Sequence, residues 1–292
     1  MIAPKIKFCG ITREQDAELA VSLGAWAVGM ILWPHSPRAV SIDQAAELAA
    51  LLKRRAEAVG VFVNPTLEEV SQTVEATGIT IVQLHGQEGP SFCIEVARRT
   101  GCKVIKAMRV RANADIQVLG QFHTDFHLLD SYVPGLPGGT GEVFNWDLAI
   151  AHRRLTPPKG KGQRTPLIIS GGLTPDNVGA AIELIKPWGV DVASGVESAP
   201  GYKDAELMRA FAEAVAATAP LPEITVEQDE SPEFEPGAPE SPEFESGASE
   251  SLASEQVREF DAEFDADLEP DVFPTPSFTP DAQASELAEH SE

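Results

Sequence analysis

The sequence has little with which to staple a fold, hold a metal or enter a membrane. Its three cysteines, Cys9, Cys93 and Cys102, are too few and too irregularly spaced for a disulfide framework or a zinc site. That fits a reducing compartment, and the cytoplasm is the expected setting. No pair of histidines has ligand spacing, which disfavours metal-dependent chemistry. Long apolar runs are missing as well. The start, Met1-Ile2-Ala3-Pro4-Lys5-Ile6-Lys7, interleaves lysine with apolar residues, so neither a signal peptide nor a membrane span is readable. A Gly-rich dinucleotide turn is absent after the first apolar run, where Cys9-Gly10-Ile11-Thr12 stands instead. Gly138-Gly139-Thr140-Gly141-Glu142 resembles a nucleotide phosphate loop, but no Lys-Ser/Thr follows at the required spacing. Gly139 and Gly141 read better as hinges of a mobile lid lining a site.

Basic charge is missing from one region only. Residues 221–292 carry 22 of the 45 acidic residues and only Arg258 of the 22 basic ones, which leaves 23 acidic and 21 basic residues to positions 1–220. The net charge of -23 therefore belongs almost entirely to a tail. The tail is rich in Glu, Asp, Pro, Ser, Ala and Gly and holds an imperfect tandem repeat, ESPEFEPGAP at 230–239 and ESPEFESGAS at 240–249. Low hydrophobicity and dense like charge cannot offset the entropy of ordering, so this segment is expected to be disordered. Phe234, Phe244, Phe260, Phe264, Phe273 and Phe278 are spaced among its acids, either as weak docking points for a partner or as incidental aromatics of a solvating spacer. No nucleic-acid or membrane partner is expected.

Positions 1–220 suffice for one domain with a large core. Eight short runs rich in Val, Ile and Leu recur: Ile6–Cys9, Ala27–Leu32, Ala58–Val63, Ile79–His85, Val104–Val110, Phe126–Asp130, Leu167–Ser170 and Val190–Ser194. Amphipathic helical patterns lie between and after them, over Arg13–Leu23, Ile42–Arg55, Leu67–Thr77, Pro90–Thr100, Trp146–Arg153, Asn177–Ile185 and Asp204–Ala216, with the weakest pattern after Ala112. Thr66, Asp176 and Asp204 have the chemistry of helix starts. Strands apolar on both faces that alternate with helices argue for a parallel sheet covered by helices. Eight such units in about 220 residues argue for a closed (β/α)8 TIM barrel, 1–220, followed by the disordered tail, 221–292.

In such a barrel the strand C-terminal ends and the loops after them form the catalytic face. Cys9 ends the first run where a helix is expected to follow, and a helix N-terminus would favour its thiolate, although a packed core thiol is the plain alternative. Asp130 emerges from an apolar strand either as a general acid or as a turn cap. Arg38, in Ser36-Pro37-Arg38, could hold a carboxylate bidentately or lie on the surface. Gly171-Gly172 and Ser194-Gly195 follow the last two strands, where this barrel recurrently binds phosphate, and tight turns without a ligand are the alternative. Asn64, His85 and Arg109 also stand at strand ends. His85 reads as a packing or locally hydrogen-bonded residue.

Together these residues resemble the phosphoribosylanthranilate isomerase family of tryptophan biosynthesis. KFCGIT at 7–12 matches its K-x-C-G-[IL]-T motif, and Ser36-Pro37-Arg38 its S-x-R loop. Gln83-Leu84-His85-Gly86, Leu129-Asp130-Ser131, GGTGEVFNW at 138–146, SGGL at 170–173 and DVASGVE at 191–197 follow in the family's order. The resemblance covers about residues 4–217 and leaves the tail outside. It implies an Amadori rearrangement of a phosphosugar substrate without cofactor or metal. Cys9 is then the base, Asp130 the acid, Arg38 the ligand of the substrate carboxylate, and Gly171, Gly172, Ser194 and Gly195 the phosphate turns. His85, Asp191, Gly139 and Gly141 would line the site. Two other readings stay open. One is an inactive barrel acting as a scaffold for the tail. The other is a histidine-pathway isomerase, whose barrels typically use two aspartates, one of them where this chain has Cys9.

Overall fold

A computed structural model describes residues 4–110, 112–130, 146–156 and 164–218. The expected lid residues Gly139 and Gly141 and the acidic tail 221–292 lie outside the described residues. Eight strands, β1 (Lys5–Cys9), β2 (Ala27–Ile31), β3 (Glu57–Phe62), β4 (Ile81–Leu84), β5 (Lys103–Arg109), β6 (Phe126–Asp130), β7 (Leu167–Ser170) and β8 (Gly189–Val192), pair in parallel in chain order. β8 returns to β1 in the register Phe8↔Val192, so the sheet closes. Helices α1 (Glu14–Ser22), α2 (Ile42–Leu52), α3 (Leu67–Thr77), α4 (Pro90–Thr100), α5 (Asn113–Leu119), α6 (Trp146–Leu155), α7 (Val178–Ile185) and α8 (Ala205–Ala216) follow the strands one for one. This is the (β/α)8 TIM barrel that the alternation of patterns called for. Among the described residues no helix is long and apolar enough to cross a membrane.

Strand alternation divides the core into two clusters. Ile6, Phe8, Val28, Met30, Val82, Leu84 and Val190 point outward against the helices, with Phe8 meeting Phe211 of α8 edge to face. Cys9, Ala27, Val59, Val61, Ile81, Ile105, Phe126 and Leu128 fill the barrel itself. At the N-terminal end of the strands Trp26, Phe126 and Trp188 stack on one another with ring centroids 4.8–5.1 Å apart. Each such pair contributes about 0.5–1.5 kcal/mol beyond its burial. The three rings floor the barrel, which leaves the opposite end for chemistry.

Helix starts follow local chemistry, with one correction. Thr66 caps α3 in a reciprocal box with Glu69, and Ser41 does the same for α2 with Gln44. Each is a device worth about 1 kcal/mol. The Asp204 carboxylate accepts from the Glu206 and Leu207 amides at the start of α8. Asp176 is not a cap: α7 begins two residues later, and Asn177 fixes the preceding turn by accepting from Thr174 N and donating to Gly172 O, both at 2.9 Å. The weak pattern after Ala112 does fold, as the seven-residue α5. Four strands shift by one residue at an end or at both, and two change by more. β4 is confined to Ile81–Leu84, and β8 stops at Val192 because Ala193 turns the chain into a 3-10 turn, Ser194–Val196. After that turn comes a hairpin absent from the sequence reading, β9 (Glu197–Ala199) with β10 (Tyr202–Lys203).

Candidate active site

Cys9 ends β1 with its side chain inside the barrel, buried beside Lys7, its neighbour two residues back on the same strand face. Gly29 on β2 makes this possible, since a Cβ there would fall 2.8 Å from Cys9 Sγ and 3.1 Å from Lys7 Nζ. Lys7 is fully buried and donates to Asp191 Oδ1 at 2.7 Å, while Ser170 Oγ donates to Asp191 Oδ2 at 2.9 Å. A continuous polar chain thus runs from the end of β7 through β8 to the thiol. Removing one partner of so buried an ion pair typically costs about 3–5 kcal/mol.

The expected cause of thiol activation needs correction. α1 starts at Glu14 and lies five residues beyond Cys9, so its N-terminus does not adjoin the thiol. Burial pushes the Cys9 thiol above its ordinary range, Lys7 pulls it down and Asp191 pushes it up, with burial prevailing. For Lys7 the balance is reversed. Burial favours the neutral amine, but Asp191, joined by Cys9 when the thiol is ionised, outweighs it and pushes the amine above its ordinary range. Cys9 therefore rests as a thiol beside the Lys7 ammonium, whose charge favours ionisation of the thiol.

Asp130 ends β6 in register with Arg109 of β5 and Ser170 of β7. Its Oδ2 lies 3.2 Å from His85 Nε2, and His85 Nδ1 lies 3.3 Å from Gln83 Nε2. An amide nitrogen only donates, so with the amide in this orientation Nδ1 accepts and the ring proton sits on Nε2, directed at Asp130 Oδ2. His85 is thus tied to the expected acid. Gln83 is buried inside the barrel, and among the described residues its Oε1 is the buried side-chain atom left without a partner. Asn64, in the left-handed region at φ 48°, does not point to chemistry. Its Oδ1 accepts from Gln87 N at 2.6 Å, and its backbone N–H donates to Glu88 Oε1, while Lys106 pairs with Glu88 at 2.7 Å. These bonds cross-link the loops after β3 and β4 and so fix the loop that bears His85.

The two glycine turns come together. Gly171 and Gly172 take φ of 88° and 65° after β7, and Gly195 sits in the 3-10 turn after β8. A Cβ on Gly195 would stand 1.8 Å from Leu173 O, so the two turns are in backbone contact that only glycine permits. Arg38, in the loop after β2, is bonded to Glu197 by Nε and Nη2, and Lys203 completes the group at 2.8 Å from Glu197. Burial raises the Glu197 carboxyl, but bonds from Arg38 and Lys203 outweigh it and hold it below its ordinary range. Burial pushes Lys203 down despite Glu197, and the bond to Glu197 raises Arg38.

Around the barrel the order is Asp130 on β6, the glycine turn after β7, Ser194-Gly195 after β8, Cys9 on β1 and Arg38 after β2. Asp130 and Cys9 stand at one end of the barrel with the paired turns between them. This constellation lies within residues 6–214, which match the profile of the N-(5'phosphoribosyl)anthranilate (PRA) isomerase family. The chain belongs to that family. A curated N-(5'-phosphoribosyl)anthranilate isomerase from Pelobacter propionicus is 44% identical over 207 residues, 71% of this chain and 93% of that protein. The one from Geobacter sulfurreducens is 45% identical over 207 residues, 71% of this chain and 96% of its own. The crystal structure of phosphoribosyl anthranilate isomerase from Thermotoga maritima superposes with a TM-score of 0.64 at 36% identity, covering 73% of this chain and 98% of that one. A crystal structure of the isomerase in complex with reduced 1-(o-carboxyphenylamino)-1-deoxyribulose 5-phosphate superposes at 0.62 with 33% identity, over 73% and 98% of the two chains.

Among the residues brought together here, Lys7, Gln83, Glu197 and Lys203 had no role in the sequence reading. Lys7 had a signal: a lysine two residues before Cys9 on an apolar strand must share its face. Glu197 closes the DVASGVE motif, but nothing in it points to Arg38, 159 positions away, and Lys203 had no signal of its own.

Proposed function

We propose that this chain isomerises N-(5-phosphoribosyl)anthranilate to 1-(2-carboxyphenylamino)-1-deoxyribulose 5-phosphate, in tryptophan biosynthesis, by acid and base chemistry without cofactor or metal. The observation that carries this reading is the order round the mouth: a carboxyl, two glycine turns, a thiol and an arginine. It suits a substrate with a ring oxygen to protonate, a phosphate to hold, a C2 proton to remove and an aromatic carboxylate to orient.

Asp130 gives its proton to the ribose ring oxygen as the C1–O bond breaks, and the nitrogen lone pair forms the open-chain iminium. Cys9 as thiolate removes the proton from C2, and the C–H electrons neutralise the iminium to give the enolamine. The Cys9 thiol then gives its proton to C1 and the Asp130 carboxylate takes the enol proton, which yields the ketone and restores both groups. Lys7 lowers the cost of the thiolate, and His85 orients Asp130. The turns at Gly171-Gly172 and Ser194-Gly195 take the phosphate, and Arg38 takes the carboxylate. A thiol base and free cysteines suit a reducing, cytoplasmic setting.

Residues 1–220 are proposed to form the whole catalytic domain, because every group in this scheme falls within them. Steady-state turnover of freshly prepared phosphoribosylanthranilate is expected for the full chain, and for a chain truncated after Pro220 with kcat/KM within about threefold, well below the tenfold that 1.4 kcal/mol represents. No turnover by the full chain would end the assignment, and a large loss on truncation would end the domain boundary. Arg38→Ala is expected to raise KM by about 10–100-fold, as for one charged hydrogen-bonding pair, with a smaller change in kcat. An unchanged KM removes Arg38 from carboxylate binding.

A further inference from the structure

Arg38 presents a puzzle for a group that is to receive a carboxylate, because it already holds one. Its Nε lies 2.9 and 3.0 Å from the two Glu197 oxygens, and its Nη2 donates to Oε2 at 2.6 Å. Those bonds use only the side of the guanidinium that carries Nε. The far edge, made by Nη1 and the second Nη2 hydrogen, has no acceptor among the described residues, and a guanidinium can bind a carboxylate bidentately along that edge as well.

Charge decides whether that edge attracts an anion. A lone Glu197 would cancel Arg38. Lys203 prevents this: its ammonium is fully buried, donates to Glu197 Oε1 at 2.8 Å and to Ala193 O at 2.8 Å, and adds a second positive charge to the group. Arg38 is 20% exposed while Glu197 is 4% and Lys203 0% exposed, so the excess positive charge reaches solvent through Arg38 alone.

The group is also rigid. Glu197 and Lys203 stand on the β9–β10 hairpin, which Thr12 Oγ1 ties through Gly201 O at 2.6 Å and Arg13 through Lys203 O at 3.0 Å. The Arg38 stem crosses the turn after Cys9, where a Cβ on Gly10 would come within 2.7 Å of Arg38 Cδ.

We infer that Glu197 and Lys203 are positioning residues for substrate selection: they hold Arg38 by its inner edge, with net positive charge, so that its outer edge is preset for the carboxylate of an ortho-carboxyanilino sugar phosphate. Orientation is fixed before the substrate arrives, which spares the entropy of ordering a long side chain on binding. The inference rests on the assignment of Arg38 as the carboxylate ligand.

The test compares two probes, reduced 1-(o-carboxyphenylamino)-1-deoxyribulose 5-phosphate and the same compound without the carboxyl, titrated against the full-length chain, Glu197→Gln and Lys203→Met. The unsubstituted chain is expected to prefer the carboxylated probe by at least about tenfold, as one charge-assisted pair implies. In Glu197→Gln and in Lys203→Met that preference is expected to fall to about threefold or less, with affinity for the carboxyl-free probe nearly unchanged. A preference kept at its full value in either folded variant, or equal weakening of both probes, overturns the inference. If Glu197→Gln does not fold, the ratio in Lys203→Met decides, since methionine fills the buried stem. No preference in the unsubstituted chain instead ends the assignment of Arg38, a separate result.

Discussion

Cys9→Ala is expected to lower kcat by about 10²–10⁴, the range for losing a positioned base, while the purified variant keeps the circular dichroism of the parent barrel. The thiol lies in the interior cluster between Lys7 and the barrel wall, so alanine removes one buried atom and leaves the apolar neighbours in place. KM should change little, because phosphate and carboxylate are held elsewhere. The size of the loss reflects what the thiol alone can do: among the groups round Cys9, Lys7 is held as an ammonium and cannot accept a proton, and Asp191 is engaged by Lys7 and Ser170. Turnover within a few fold of the parent would remove Cys9 from proton transfer and leave it a packing residue.

Asp130→Asn is expected to cost a similar factor in kcat, about 10²–10⁴, because an amide keeps the shape and the contact with His85 but has no proton to give to the ring oxygen. The variant also isolates the base. With no carboxyl at position 130, Cys9 is the titrating group of the scheme, and its thiolate is a minor species below its raised pKa. The sign follows directly: each pH unit multiplies the thiolate fraction by about ten, so residual kcat/KM of Asp130→Asn should climb about tenfold per unit through neutrality. It should level off only above the ordinary thiol range. A flat profile from pH 6 to 9 would contradict a thiolate base, and parent-like kcat would contradict the acid role of Asp130.

Much of the barrel was readable because its signals are local. Runs such as Phe126–Leu129 and Val104–Ala107 are too short and too apolar for surface helices, and the segments between them repeat at helical spacing. Caps were readable where a side chain meets its own helix, as at Thr66 and Asp204, and misread at Asp176, where Asn177 had the better geometry for the turn. The β9–β10 hairpin was not readable. Its strands have three and two residues, and its partners are Thr12 and Arg13 at the other end of the domain.

The site divides in the same way. The sequence by itself determined which residues stand at the strand ends, hence Cys9, Asp130, the glycine turns and Arg38, because a parallel barrel gathers strand C-termini on one face whatever the packing. Tertiary structure decided what state each group is in. Burial, which depends on the whole wall of the barrel, makes Cys9 a resting thiol; Lys7 and Asp191 meet across the β1–β8 seam, 184 residues apart in the chain. Glu197 and Lys203 turn Arg38 from a loop arginine into a held fork. Charge and proton affinity depend on distances of a few ångströms and on the exclusion of water, and neither is a property of neighbours in the sequence.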